Sequence, residues 1–352
     1  MTLELHPYYK LLSIITVDNS GGYGSEPMTI YNWTKPLLIL WSIGLLVILP
    51  QCIMRPITTR ICCYHSSEKP RTVYTPINPT INVWIHGTLF GLSPTYRRPF
   101  LTKPQLLHMH TIPKSTYVRM PADILTTHHP DLFPDASFYL FCWSGRLSLY
   151  IREQAADILY KELKIVRANY RQKYKQEPSI RIFGHSHGGN IALALARNIT
   201  TDLQDPLYVH ELILLACPVQ ERSYPYIKST MFERIFSLYS SLDFVQICAP
   251  QLMLHKASSF LARINWFPFS KQVFPDQENL VQTKIKMNKR ALTHGEFVSN
   301  QFFTHFAAIR HTMIGLLQSK KSNTSNKPTI PSKHLLSVHT SQIHIPNPKD
   351  SS

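Results

Sequence analysis

Between residue 80 and residue 290, short apolar stretches of strand length recur, the first and last of them alternating with period two, separated by polar or glycine-rich turns and helix-like runs. Thr80-Ile-Asn-Val-Trp-Ile is such a stretch and stops at His86-Gly87. Ser137-Phe-Tyr-Leu-Phe-Cys-Trp-Ser-Gly, Ser179-Ile-Arg-Ile-Phe, Val209-His-Glu-Leu-Ile-Leu-Leu-Ala-Cys-Pro, Ile235-Phe-Ser-Leu-Tyr-Ser-Ser-Leu with an aspartate after it, and Val281-Gln-Thr-Lys-Ile-Lys-Met follow in order. Asn190-Ile-Ala-Leu-Ala-Leu-Ala-Arg is a helix rich in small residues, and an apolar helical pattern (Phe302, Phe303, Phe306, Ile309, Met313) closes the series. Strands alternating with helices predict an α/β fold, a mostly parallel sheet covered by helices on both faces.

The densest chemical signal is Gly184-His185-Ser186-His187-Gly188, which fits G-x-S-x-G and stands where a strand should give way to a helix. A turn that sharp strains the serine backbone and presents Oγ, and a Cβ at either glycine would crowd a neighbouring element. Because a serine hydroxyl is a poor nucleophile at neutral pH, the pattern calls for a histidine base, an acid that orients it and donors for an oxyanion. His294, in Ala291-Leu-Thr-His-Gly-Glu-Phe just past the last strand, suits the base. Asp243, at the end of the strand beginning at Ile235, suits the acid. Competing positions are Asp276 and Glu278 for the acid and His305 and His311 for the base. His86, His185 and His187 are expected to shape the turns they occupy.

The motifs in register, with catalytic residues in the chain order Ser186, Asp243, His294, resemble the α/β-hydrolase superfamily on its lipase and esterase side. The resemblance runs from about Thr80 to about Gln318. His86-Gly87-Thr88 resembles that family's oxyanion-hole loop, so the resemblance implies donors at the backbone N–H of His187 and at that of Thr88 or Leu89. It implies the α/β-hydrolase fold, an acyl-enzyme mechanism and no dissociable cofactor. No metal is expected either: His108-Met-His110 and His128-His129 lack the spacing of a zinc motif, and neither H-E-x-x-H nor C-x-x-C occurs.

Composition adds a location. The chain has 352 residues, enough for one sizeable domain, and carries six scattered cysteines of the kind found as reduced, buried thiols. Its net charge of +16 is dispersed and comes without any helix-turn-helix, RRM or zinc-finger signature, which favours anionic membrane surfaces over nucleic acid. The uncharged run Pro36–Met54 has about the length needed to cross a bilayer, with Trp33 and Trp41 placed for an interface and Pro50 limiting the helix. More than about thirty residues precede it, including Glu4, Asp18 and Glu26, which is unlike a signal peptide. Lys35 alone flanks it on the amino side, whereas Arg55, Arg60, Lys69 and Arg71 follow, so a single-pass protein with its hydrolase domain on the cytoplasmic side is expected.

The organisation expected is thus an N-terminal segment (1–35), a transmembrane helix (36–54), a basic linker (55–79), an α/β-hydrolase domain (80–318) and a disordered tail (319–352). Two insertions interrupt the domain. Residues 90–134 are proline-rich without a clear amphipathic period and predict a long loop or small cap at the site mouth; residues 248–276 hold an apolar stretch, 249–269, that suits a lid, a membrane-dipping element or an ordinary core helix. The function expected is a membrane-associated serine hydrolase cleaving an ester of an apolar acyl group, with lipids as the leading substrate class. Acyl transfer or thioester hydrolysis would use the same residues. A catalytically silent hydrolase fold, acting as a membrane-tethered binding module, is the alternative of another class.

Overall fold

The computed structural model describes residues 79–88, 103–243, 245–246, 272–287, 290–325 and 341–345, all within the compact unit Tyr74–Ser352. The Pro36–Met54 run, the basic linker up to residue 78, Leu89 and most of the 248–276 insertion lie outside the described residues. Among the described residues no helix is long and apolar enough to cross a membrane.

Among the described residues nine strands form one sheet: β1 (Thr80–Ile85), β2 (Gln105–His108), β3 (Phe138–Cys142), β4 (Ser179–His185), β5 (Glu211–Leu215), β6 (Ile235–Tyr239), β7 (Leu280–Met287), β8 (Arg290–Ala291) and β9 (Ser341–Ile345). The order is β2-β3-β1-β4-β5-β6-β7-β8, with β9 also paired to β7. β2 runs antiparallel to β3 and β8 antiparallel to β7; every other pairing is parallel. The expected α/β class and mostly parallel sheet are what the chain forms.

Two cores account for the strands' near-continuous apolar sequences. Ile81, Val83 and Ile85 of β1, Ile180 and Ile182 of β4 and Leu212 and Leu214 of β5 face one core, where they meet helix α2 (Leu149–Tyr174) through Ala155, Leu159 and Leu163. The alternate residues Trp84, Phe183, Ile213 and Leu215 face the other. A strand buried on both sides has no polar face to alternate with, so its pattern reads as a solid apolar run. The second core is closed by α1 (Met120–His128), α4 (Asn300–Thr304) and α5 (Phe306–Ser325), which bring in Leu125, Phe302, Phe303 and Phe306. Each of these phenylalanines is fully buried, contributing about 1.5–3 kcal/mol. Helix α2 starts where Ser148 Oγ accepts the Ile151 N–H and ends at Lys175, whose left-handed backbone (φ 55°) closes the last turn.

Two expectations need correction. Of the two readings of the 90–134 insertion, long loop or small cap, the loop does not hold for its described part, which supplies edge strand β2 and helix α1. Four half-buried residues are too few to show a period, and Pro121, which reads as a breaker, stands in the first turn where proline is tolerated. The chain also stays regular past Ser319. Helix α5 runs to Ser325, with the Lys320 ammonium bonded to the Asp276 carboxylate (2.6 Å) and to the Leu280 carbonyl (3.2 Å), and Ser341–Ile345 adds a parallel strand to β7. Serine- and lysine-rich composition concealed this helix end.

At the amino ends of the strands the sheet is fastened by charge. The Glu211 carboxylate, wholly buried at the start of β5, accepts from Arg310 Nε and Nη2 of α5 (both 2.7 Å) and from Arg181 Nε of β4 (3.0 Å), while Arg234 Nε lies 3.7 Å away. Arg181 also donates to Asn82 Oδ1 of β1 and to the Leu132 carbonyl. Burial pulls the Glu211 carboxyl upward, but the Arg310 bonds and the surrounding guanidinium charges outweigh it, leaving the group below its ordinary range. A carboxyl depressed in the folded state lends stability that is present above its unfolded value, near about 4.3, and is lost as pH falls through the folded one. Removing the charge strands three cations. Glu211→Gln is therefore expected to lower unfolding free energy by about 3–5 kcal/mol at neutral pH, and to flatten the acid limb of the stability curve. Urea unfolding followed at several pH values would measure both; a midpoint unchanged from the parental one at pH 7 would contradict the assignment.

Candidate active site

The site is built where β4 turns into helix α3 (His187–Ala194) with Ser186 as the sole link. Ser186 adopts φ 52° and ψ −129°, a backbone that costs a non-glycine residue about 1–3 kcal/mol and persists only where the surroundings impose it. They do so from both sides: the Ser186 amide donates to the Leu215 carbonyl at the end of β5 (2.8 Å), and the Ser186 carbonyl accepts the Gly189 N–H (3.0 Å). The glycines allow close approach. A Cβ on Gly184 would lie 2.5 Å from Gly189 Cα, and one on Gly188 would lie 2.4 Å from the Ile85 carbonyl oxygen. On Gly87 it would lie 2.7 Å from Ser186 Cβ, so the end of β1 presses directly on the serine.

One feature departs from the expected exposed hydroxyl. Ser186 is only 4 % exposed, because the β1 terminus and the flanking His185 and His187 enclose the elbow. A small cavity adjoins the elbow at Gly87 and His185 and is lined further by Trp84, His86, Thr88, Tyr117, Val118, Pro121 and Val298; Ser186 itself is not part of its lining. Tyr117, Val118 and Pro121 come from the segment that was unreadable as structure in the sequence. Helix α3 points its first N–H groups, beginning with that of His187, toward the turn, and such groups have no partner within a helix. Thr88 borders the same cavity, its Oγ1 buried without a hydrogen-bond partner among the described residues. Leu89 falls outside them.

His294 and Asp243 come together although 51 residues separate them. His294 Nδ1 is 2.9 Å from each Asp243 oxygen, and the fully buried carboxylate also accepts the Gln246 N–H (2.9 Å). Gln246 Nε2 in turn donates to the Cys217 carbonyl just beyond β5 (2.7 Å), which ties the acid's turn to the sheet. With Nδ1–H donated to Asp243, His294 Nε2 is left as an acceptor. His294 stands on a reinforced turn: Thr293 and Glu296 form a capping box, and Arg290 pairs with Glu296. Burial raises the Glu296 carboxyl, but Arg290 and the Thr293 bonds prevail and bring it to about 2.

The competing positions lie elsewhere. Asp276 and Glu278 are exposed, the former paired with Lys320, while His305 caps α4 and His311 is exposed on α5. Three other imidazoles surround the serine, and burial keeps them neutral. His86 is depressed to about 4; Trp143 donates its N–H to His86 Nε2 and its indole N–H to the His86 carbonyl. His185 is depressed further by burial and then by its neighbour His294, and His187 by burial and then by the Arg152 guanidinium. The side chain of Ser186 makes no hydrogen bond among the described residues. In a resting site such bonds are commonly long, tightening when a substrate is bound.

No protein-family model matches the chain, and no curated protein sequence matches it significantly. Several solved structures are similar at 12 % identity. The esterase PE8 matches over 67 % of this chain and 93 % of its own, with a TM-score of 0.35. A lipase-esterase related protein from Clostridium acetobutylicum matches over 70 % and 95 % (TM-score 0.27), and a highly thermostable carboxyl esterase from Bacillus coagulans over 78 % and 84 % (TM-score 0.26). Independently of those likenesses, the chain has a mostly parallel sheet and a strained serine turn between strand and helix, with Asp243 and His294 following Ser186 along the chain, an arrangement that resembles the α/β-hydrolase fold.

Proposed function

We propose that the protein is a serine hydrolase of the esterase and lipase type, cleaving a carboxylic ester of an apolar acyl group through an acyl-enzyme. The observation that carries this reading is the His294–Asp243 pair, an imidazole oriented by a buried carboxylate on a turn packed against the residue preceding Ser186. In this reading Ser186 Oγ attacks the ester carbonyl as His294 Nε2 takes its proton. Asp243 holds the ring and stabilises the imidazolium without becoming protonated itself. The N–H of His187, joined by that of Thr88 or Leu89, donates to the tetrahedral oxyanion. His294 then returns its proton to the departing alcohol, and water activated by the same base releases the acid. The apolar wall of Tyr117, Val118, Pro121 and Val298 supports an apolar acyl group.

Ser186→Ala is expected to lower hydrolysis of short p-nitrophenyl esters by about a thousand-fold or more, with His294→Ala close behind and Asp243→Asn retaining more activity. Residues acting as a unit are not additive, so the Ser186→Ala/His294→Ala double variant should be no slower than either single one. Labelling of Ser186 by a fluorophosphonate gives the complementary readout, since only an activated serine reacts. A parental protein that resists labelling and leaves these esters intact would instead be a silent hydrolase fold that binds without turning over.

The same proposal places the enzyme at a membrane, on the strength of the apolar Pro36–Met54 run and the cations that follow it, with the hydrolase domain facing the cytoplasm and membrane lipids as the leading substrates. A chain beginning near Arg71 is expected to wash off membranes in high salt while the full chain stays. Retention of the shortened chain through carbonate washing would show that another segment, such as that around Trp266, anchors it.

A further inference from the structure

We propose that His185 is a positioning residue for the base: its Nε2–H holds the backbone carbonyl of His294 and its ring supports the His294 imidazole, fixing where that base points. The proposal rests on the catalytic reading of Ser186, Asp243 and His294 given above. Its evidence is geometric. His185 Nε2 lies 3.3 Å from the His294 carbonyl oxygen, and the two rings are 4.8 Å apart at 45°. On the sheet side, the His185 ring stacks on Trp84 at 6.3 Å and 11°, and Trp84 is itself wedged edge-on against Phe303 of α4 (5.8 Å, 81°). At the remaining edge Gly87 packs closely, since a Cβ there would lie 3.1 Å from His185 Nδ1 and 2.7 Å from Ser186 Cβ. His185 is only 8 % exposed, so these contacts cover most of its surface.

These contacts complete what Asp243 begins. Asp243 restrains the His294 ring through Nδ1, which leaves the ring free to tilt with its loop. His185 restrains the loop itself at the carbonyl and one ring face. Because His185 is peptide-bonded to Ser186, nucleophile and base are referred to one rigid strand end, β4. His185 is no base in this arrangement: its Nε2 proton is committed to a carbonyl, and burial keeps the imidazole neutral. Neutrality also suits the reaction, since a second imidazolium 4.8 Å away would oppose the charge that His294 acquires.

The test compares His185→Gln, whose side-chain amide nitrogen reaches the place of Nε2, with His185→Asn, whose amide nitrogen reaches only that of Nδ1. His185→Phe adds a variant that keeps a stacking ring without the donor. Hydrolysis of p-nitrophenyl butyrate by the full chain is expected to fall about a hundred-fold in kcat for His185→Asn and His185→Phe with KM within about three-fold, a loss typical of a base displaced by about an ångström. His185→Gln is expected to recover to within about five-fold of the parental kcat. Thermal unfolding run alongside reads fold stability; if the phenylalanine variant does not fold, the glutamine and asparagine pair decides alone. Equal kcat for His185→Gln and His185→Asn, at whatever level, overturns the positioning role, as does a loss confined to KM or to thermal stability. A parental protein that neither hydrolyses the ester nor takes a fluorophosphonate on Ser186 would remove the catalytic reading first, and this proposal with it. Normal parental activity with equal asparagine and glutamine variants removes this proposal alone.

Discussion

The structure depends on one residue's backbone. Ser186 joins β4 to α3 with no linker, at a left-handed φ that its side chain disfavours, and every neighbour that makes this tolerable also makes the site. The Leu215 carbonyl fixes its amide, the Gly189 N–H fixes its carbonyl, and the Gly184, Gly188 and Gly87 positions let α3, β1 and the elbow come closer than side chains would permit. Strain at the serine is thus offset by the packing of the central strands, and the hydroxyl's place is set by the most buried part of the fold rather than by a loop.

That arrangement gives the sheet a division of labour along its length. The carboxyl ends of the parallel strands carry the serine turn after β4, the Cys217 carbonyl after β5 and the Asp243 turn after β6. The amino ends carry Arg181 and Glu211, clasped by Arg310 from α5. In open α/β sheets ligands gather at the carboxyl ends because loops there leave a crevice between neighbouring strands. Here the opposite end is closed by a buried ion cluster that ties β4, β5 and α5 together, and the strand ends bearing the site inherit that registration.

Much of this was legible from the chain. The six apolar strands could be read because parallel, doubly buried strands are nearly continuous in hydrophobicity, and the elbow because its glycines are demanded by contacts of about 2.5 Å that no other residue survives. The order of Ser186, Asp243 and His294 was legible because each candidate follows a strand end. Other parts were illegible for physical reasons. β2 is four half-buried residues at an edge, too short for a period, and α1 begins with a proline that looks like a break. The end of α5 lies in a serine- and lysine-rich stretch whose composition reads as disordered, and its contact from Lys320 to Asp276 is tertiary and leaves no local trace. Burial of Ser186 also escaped, since enclosure by the end of β1 is a property of packing and not of the pentapeptide.

Histidines show most clearly where sequence stops and structure begins. Four of them, His86, His185, His187 and His294, gather around Ser186, and as residue types they are interchangeable. Environment separates them. His86 is occupied at both ring nitrogens and stacked on Trp143, His187 is buried beside Arg152 and Asn190, and His185 is sealed between Trp84 and Gly87; each is driven neutral chiefly by desolvation. Only His294 combines partial exposure, at 17 % of its side chain, with a carboxylate on one nitrogen and a free acceptor on the other. A base must be able to acquire charge at neutral pH, and a desolvated imidazole without a counter-charge resists doing so. The three neutral rings therefore contribute shape and a low-polarity wall, while the fourth, His294, is the one held by a buried aspartate.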